Sequence, residues 1–239
     1  MDGLGVTAPA PSGSWTTAVV RSKTQVAARF TALRLEVANR VTHLPGQHYV
    51  VRLRADDGYT ASRSYSVASA PVDPLVELCV EQLDDGEVAG FLADVVEVGD
   101  ALEVRGPIGG WFVWDGATPA LAIGGGSGIV PLVSMLRHAR VLDRADLLCL
   151  VAATRTSHDL PYAEEILEGC HVVALSQEAT AAGRAAGRLT GADLIPFVRD
   201  GQVVYVCGSA RFAAAASTLL VDLGIPATQV RVERFGPSG

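Results

Sequence analysis

The 239-residue sequence contains no uninterrupted apolar run near the ~20 residues that a membrane-crossing helix needs. Its opening, MDGLGVTAPAPSGSW, has neither a basic stretch nor an apolar one, so it does not read as a signal peptide. Rich in Pro, Ser and Gly, residues 1–14 read as a flexible leader. Cysteine is sparse. Cys79, Cys149, Cys170 and Cys207 stand apart, with no C-x-x-C and no cluster with His. A structural zinc site or a plant-type iron–sulfur cluster is therefore not expected, and no metal ligands are assigned. Isolated thiols fit a reducing compartment, and the expected location is the cytoplasm. Positive charge is also short: 19 Lys and Arg against 26 Asp and Glu give a formal net charge of -7, without the basic footprint of a nucleic-acid binder.

What is present is apolar. Hydrophobic residues make up 49% and charged residues 19%, and the mean hydropathy is +0.29. That excludes disorder, collagen-like repeats and coiled coil. A chain this long forms one large or two modest domains and buries roughly 70–75% of its extended surface, enough to stand without disulfides. Charge is unevenly spread. Residues 1–63 carry eight basic and four acidic side chains, residues 64–115 one and eleven, and residues 116–239 ten and eleven. A basic opening suits an anionic ligand or an acidic partner, and equally a solvated strand surface.

Two periods divide the chain. From Trp15 to about Asp115, short β-type runs (WTTAVV, HYVVRLRA, SRSYSVAS, PLVELCVEQL, ALEVRG) are broken by turn residues, which predicts an antiparallel barrel or sandwich. Val88, Phe91, Leu92 and Val95 recur at helical spacing and predict a short helix within it. After Ala117, apolar runs (PALAIG, DLLCLVAAT, CHVVALS, QVVYVCG, QVRVE) alternate with helix candidates at Ile129–Leu142, Pro161–Glu168, Thr190–Val198 and Ala210–Leu223. Such alternation predicts a parallel sheet covered on both faces. The boundary falls near Asp115–Pro119, giving domains at 15–115 and 116–239. An open parallel sheet binds ligands at the carboxyl ends of its strands, which directs attention to 124–128, 154–159, 176–188 and 207–212.

Four segments carry chemistry. Gly124-Gly125-Gly126-Ser127-Gly128, between an apolar strand and a helix with Pro131 in its first turn, suits close approach of a phosphate to backbone N–H groups, though a strict G-x-G-x-x-G is absent. It also fits a tight turn without a ligand. Arg63-Ser64-Tyr65-Ser66 offers a guanidinium for phosphate oxygens and a phenol for stacking. Alternation places Arg63 and Tyr65 on one face and Ser66 on the other, and a half-exposed polar strand would look the same. Gly106–Phe112 closes the first half with a glycine-rich turn. In Cys207-Gly208-Ser209-Ala210-Arg211-Phe212 a cysteine ends a strand at the ligand edge; alone, it reads as readily as a small buried hydrophobe.

In this order the four segments resemble the ferredoxin–NADP⁺ reductase superfamily, and most the flavin-plus-nucleotide module of bacterial oxygenase reductases. The shared signatures are R-x-Y-S at Arg63–Ser66, a G-P-x-G-x-F-like turn at Gly106–Phe112, G-G-x-G-I-x-P at Gly125–Pro131 and C-G-x-x-x-F at Cys207–Phe212. The likeness runs from residue 15 to residue 236. It implies an FAD-binding antiparallel barrel followed by a Rossmann-like parallel sheet that binds NADPH or NADH. By that resemblance Arg63 and Ser64 hold the flavin pyrophosphate region, Tyr65 packs on the flavin, and Ser66 bonds N5. Gly86, Val88 and Ala89 form a phosphate-binding turn in which Ala89 replaces a common Ser. Gly125, Gly126, Ser127 and Gly128 cradle the dinucleotide, joined by Thr154, Cys207 and Gly208. Cys207 lies beside the nicotinamide C4, Phe235 covers the flavin, and Glu233 relays protons or is a surface carboxylate paired with Arg231 or Arg234. Arg155, with Arg184 and Arg188 further on, is the candidate for a 2′-phosphate and tilts the choice slightly to NADPH; Asp159 and Glu178 count against it.

The implied activity is a flavin-dependent NAD(P)H oxidoreductase that passes hydride from nicotinamide to FAD and then single electrons onward. Without iron–sulfur ligands of its own, the chain would deliver them to a separate ferredoxin or oxygenase component. Two alternatives stay open: reduction of free flavin or another small acceptor, and a non-catalytic flavin-binding electron-transfer subunit.

Overall fold

The computed structural model describes residues 13–55, 57–83, 86–169 and 171–235. The predicted leader, except Gly13 and Ser14, lies outside the described residues, as do Cys170 and Gly236. The first half forms six antiparallel strands: β1 Trp15–Ala27, β2 Phe30–Val37, β3 His48–Arg54, β4 Thr60–Ser66, β5 Val76–Glu81 and β6 Ala101–Ile108. They lie in the order β4-β3-β6-β1-β2-β5. The two edges meet through one antiparallel bridge, Val67 with Leu78, so the sheet curls toward a barrel without a continuous closing ladder. Helix α1 (Glu87–Gly90), continued as a wider turn over Phe91–Val95, contributes Val88, Ala89 and Leu92 to the core that the strands enclose.

The second half is a five-stranded parallel sheet: β7 Ala120–Gly125, β8 Leu148–Thr154, β9 Val172–Leu175, β10 Val203–Ser209 and β11 Val230–Phe235, in the order β11-β10-β7-β8-β9. The connecting helices are α2 Val130–Val141, α3 Ala163–Gly169, α4 Gly191–Leu194 and α5 Ala210–Asp222. β7 is buried at every position, as expected for a strand covered on both faces. Pro131 sits in the first turn of α2, and the Ser209 hydroxyl caps α5 by accepting from the Phe212 N–H at 3.2 Å. β7 turns into α2 toward β8, while β10 lies on its other side. The topological switch therefore opens at the carboxyl ends of β7 and β10.

One apolar cluster spans both halves. Phe30, Ala32, Ala68 and Cys79 from the strands of the first pack with Trp114, Met135, Leu136, Tyr205 and Cys207. The connector after β6 is part of it. Phe112 meets the Tyr205 ring edge-on at 5.3 Å, and the Trp114 indole donates to the Thr118 carbonyl at 2.8 Å. Among the described residues no helix is long and apolar enough to cross a membrane.

Candidate active site between the two lobes

A cleft of about 640 Å³ opens where the parallel sheet ends. Its floor is Gly125 at the end of β7, Gly126 and Ser127 just after it, and Thr154 at the end of β8; Ser209 and Phe212 line it from β10 and α5. Arg29, Phe30 and Glu81 of the first lobe face them. Gly126 has φ +58, and a Cβ there would point into open space, so the turn leaves backbone and room free for a ligand. Gly128 differs: a Cβ at that position would stand 2.1 Å from the Cys207 carbonyl oxygen. That glycine seats the turn against β10 rather than lining the cleft.

The basic residues singled out by sequence separate here. Arg184 forms two hydrogen bonds to Asp193, at 2.8 and 2.9 Å, and donates to the Gly187 and Arg188 carbonyls, so it builds the loop instead of facing the cleft. Arg155 and Arg188 do line it. Arg155 approaches Asp159 at 3.4 Å, and Glu178 accepts from the Ser157 N–H at 2.6 Å, which holds its carboxyl below the ordinary range. The Thr154 hydroxyl is spent on the Thr156 carbonyl at 2.9 Å. Arg29 and Arg211 also line the cleft; Arg211 lies inside the C-G-x-x-x-F segment, whereas nothing in the sequence surroundings marks Arg29.

At the seam, three elements carry the residues expected to do chemistry. Ser66 ends β4 directly across the antiparallel ladder from His48, so both side chains share one face. His48 Nδ1 lies 3.9 Å from Glu233 Oε1 on β11, and Glu233 aligns with Cys207 across the β10–β11 pair. The chain thus brings Ser66, Glu233 and Cys207 to one place through His48, which the sequence reading passed over. Burial pushes the Glu233 carboxyl up to about 7 and the His48 imidazole below its ordinary value. At 3.9 Å, with both groups driven toward neutrality, this is a contact of weakly charged groups rather than a formed ion pair. Cys207 is fully buried, and burial with the Glu233 carboxylate nearby raises its thiol well above the ordinary value, so it stands as a neutral thiol.

The remaining predicted residues divide between surface and core. Arg63 and Tyr65 share a face, since they align with the inward-facing Val51 and Tyr49 of β3. The Arg63 guanidinium is exposed and donates to the Ser62 carbonyl at 2.9 Å; Ser64 is exposed on the opposite face. Tyr65 packs against the first lobe's core, and burial lifts its phenol far above the ordinary range. Gly86 and Glu87 border a second hollow of about 670 Å³ beside α1. Val88 and Ala89 are buried in the core, so they can offer only backbone there. Gly208, with φ +154, lies under the Phe212 ring, and Phe235 is half-buried at the end of β11, paired in register with Ser209.

A curled antiparallel sheet, a parallel sheet and a polar seam between them define a two-lobed flavin and nicotinamide oxidoreductase module. Residues 17–113 match the oxidoreductase FAD-binding domain family, and residues 122–218 the oxidoreductase NAD-binding domain family. The chain belongs to the ferredoxin–NADP⁺ reductase superfamily and is an FAD- and nicotinamide-binding oxidoreductase module. It is 27% identical over 219 residues to the ferredoxin–NAD(P)⁺ reductase component of naphthalene 1,2-dioxygenase/salicylate 5-hydroxylase systems from a Ralstonia species, covering 87% of this chain and 65% of that protein. It is 30% identical over 206 residues to the reductase component of propane 2-monooxygenase from Rhodococcus jostii, covering 80% of this chain and 55% of that one. In fold it superposes with a TM-score of 0.80, at 22% identity, on the flavohem-like FAD/NAD-binding domain of a Vibrio cholerae nitric oxide dioxygenase, over 93% of this chain and 99% of that one. The chain therefore spans only part of the two reductase components it matches.

The residues present fit the flavin. Ser66 is 5% exposed, and its Oγ finds no hydrogen-bond partner among the described residues. A buried hydroxyl left unpaired is costly unless something else completes it. Three residues earlier on the same strand the Arg63 guanidinium is exposed, a group whose chemistry suits phosphate.

Proposed function

We propose that the chain takes reducing equivalents from NADPH or NADH and delivers them singly to a separate iron–sulfur or oxygenase redox protein, with residues 15–115 as its flavin lobe and 116–239 as its nucleotide lobe. The observation that carries this reading is the unpaired Ser66 hydroxyl, buried on the face where Glu233 of the other lobe closes in. When bound, FAD supplies the conversion between hydride acceptance and one-electron release. The chain's own residues do the rest. The Ser66 hydroxyl can donate to or accept from a ring nitrogen, so it orients the ring in either protonation state. Arg63 anchors phosphate from outside, and Tyr65 supplies a packed wall. The Gly126 turn and Ser127 hold the dinucleotide at the switch point, and buried Cys207 keeps the seam dry. Glu233, poised near neutrality, holds or releases a proton at its carboxyl oxygen with the His48 imidazole beside it. Arg155 and Arg188 on the cleft wall favour a 2′-phosphate, while Asp159 draws on Arg155.

The test is anaerobic mixing of the FAD-loaded protein with each coenzyme. The flavin absorbance bleaches with at least one; a colourless protein that stays apo with excess FAD, or one that does not bleach, ends the reading. The basic opening segment supports docking of an acidic acceptor. Raising salt is then expected to slow reduction of a ferredoxin-type acceptor far more than that of ferricyanide. Equal sensitivity would sink the docking.

A further inference from the structure

An apolar seam holds the lobes together without fixing their angle, yet the chemistry proposed above needs one fixed distance between the Ser66 hydroxyl and the Gly126 turn. Three residues past Ser66 the chain makes a polar crossing to the other lobe. The Ser134 hydroxyl on α2 donates to the Ser69 carbonyl at 2.7 Å, and His43 Nε2 meets the same oxygen at 2.9 Å. One turn further along α2, Arg137 donates to the Ala68 carbonyl at 3.1 Å and to Glu77 of β5 at 2.8 Å. Its remaining nitrogens bind Glu165 of α3 at 2.9 and 2.5 Å, and the guanidinium lies 4.9 Å over the Tyr162 ring. Ser69, Ser134 and Glu77 are all buried. The turn Gly126–Ile129 runs straight into α2, so the helix that grips Ala68 and Ser69 is the helix opened by the nucleotide turn.

Burying such an ion cluster is a poor way to gain stability, since apolar replacements of similar volume are often as stable or more so. What it supplies is direction: a guanidinium with fixed partners on both lobes admits one relative placement. We propose that Arg137, seconded by Ser134, is a positioning residue that sets the distance between Ser66 and the Gly126 turn, and with it the alignment of nicotinamide over flavin. This rests on the function proposed above.

The experiment compares the parent with Arg137→Met, Arg137→Lys and Ser134→Ala, all loaded with FAD. The readouts are FAD content, coenzyme dissociation constant and the limiting anaerobic reduction rate with C4-protiated and C4-deuterated coenzyme. A misplacement near 1 Å costs on the order of 10²-fold, so Arg137→Met is expected to lose ~10–10²-fold in limiting rate. FAD content and coenzyme affinity stay within about twofold, the split expected when reaction geometry and not binding is lost. Arg137→Lys, which keeps the charge, recovers part of the rate. An unchanged limiting rate in Arg137→Met, or a fall matched by lost FAD, overturns the proposal. Should Arg137→Met not fold, Ser134→Ala decides: a drop of a few-fold at full FAD content supports it, and no drop refutes it. If the parent itself fails to bleach, the proposed function falls; if the parent bleaches and the variants match it, only this inference does.

Discussion

Gly128 is a position where the fold leaves no room for a side chain. A methyl group there would sit 2.1 Å from the Cys207 carbonyl oxygen, 2.3 Å from its carbonyl carbon and 2.5 Å from the Gly208 nitrogen. All three are backbone atoms of a strand held on both sides by β7 and β11, so they cannot swing away as a side-chain tip would. Relief requires the turn Gly126–Ile129 to lift from β10 by about 1 Å, against a close-packed interior. Overpacking of this kind costs roughly 1–3 kcal/mol. At this chain length each kcal/mol moves the melting point by about 2–4 °C, so Gly128→Ala is expected to melt roughly 2–12 °C below the parent. Because the displaced turn is the one proposed to hold the nucleotide, coenzyme affinity is expected to fall as well. Gly126→Ala is the control. Its methyl meets nothing, so the left-handed backbone costs only about 1–2 kcal/mol, and the loss concentrates in coenzyme binding. Thermal melting with coenzyme titration decides. A Gly128→Ala protein that melts within a degree of the parent, or that falls no further than Gly126→Ala, would refute the packing argument.

Ser66→Ala removes the unpaired hydroxyl and is expected to slow flavin reduction by ~10²-fold, in line with losing one preorganised polar contact; stopped-flow reduction reads it, and an unchanged rate denies Ser66 the role. Arg63→Ala is expected to release FAD on dialysis, seen as loss of yellow colour, while retained flavin would mean that the phosphates are held elsewhere. Two buried groups give opposite pH signatures. His43, held neutral by burial with its value lowered to about 4, contributes stability that is complete above pH 6.5 and is lost as pH falls through about 4. Glu233, raised to about 7, contributes stability that is complete below pH 4.5 and is lost as pH rises through about 7. Glu233→Gln is therefore expected to gain on the parent by about 2 kcal/mol between pH 5 and pH 8, after discounting for the carboxyl's partial exposure. Melting curves at the two pH values check it, and parallel curves would contradict the burial argument.

The two periods in the sequence translate directly into two sheet types because burial geometry dictates them. PALAIG became β7, buried at every position, and HYVVRLRA became β3, with Tyr49 and Val51 inward and Arg52 and Arg54 outward. The helix expected at Val88–Val95 is there, split into one α turn and a wider one. β2 was not among the runs singled out: FTALRLEV is buried on both faces over most of its length, which blurs the alternation. The glycine turn and Ser66 could be singled out because each sits in a motif of fixed spacing, and Glu233 only through the likeness of the tail. His48 was not, because its meaning arises only when β3 pairs with β4 and β11 arrives from the other lobe. Arg29, Arg184 and Arg211 make the same point. Local sequence shows a charge, and only the tertiary partners decide whether it is spent on Asp193, as for Arg184, or turned toward the cleft.

Behind the open cleft, the apolar cluster running from Phe30 and Cys79 through Trp114 to Tyr205 joins the two halves in one packed core. Severing the chain at the connector would strand Phe112 and Trp114 in water and expose their former neighbours on both fragments. Neither piece is built to be made alone. Heat should take the protein apart in a single cooperative step, so domain-shuffling schemes that graft this nucleotide half onto a foreign flavin half must carry the matching seam with it.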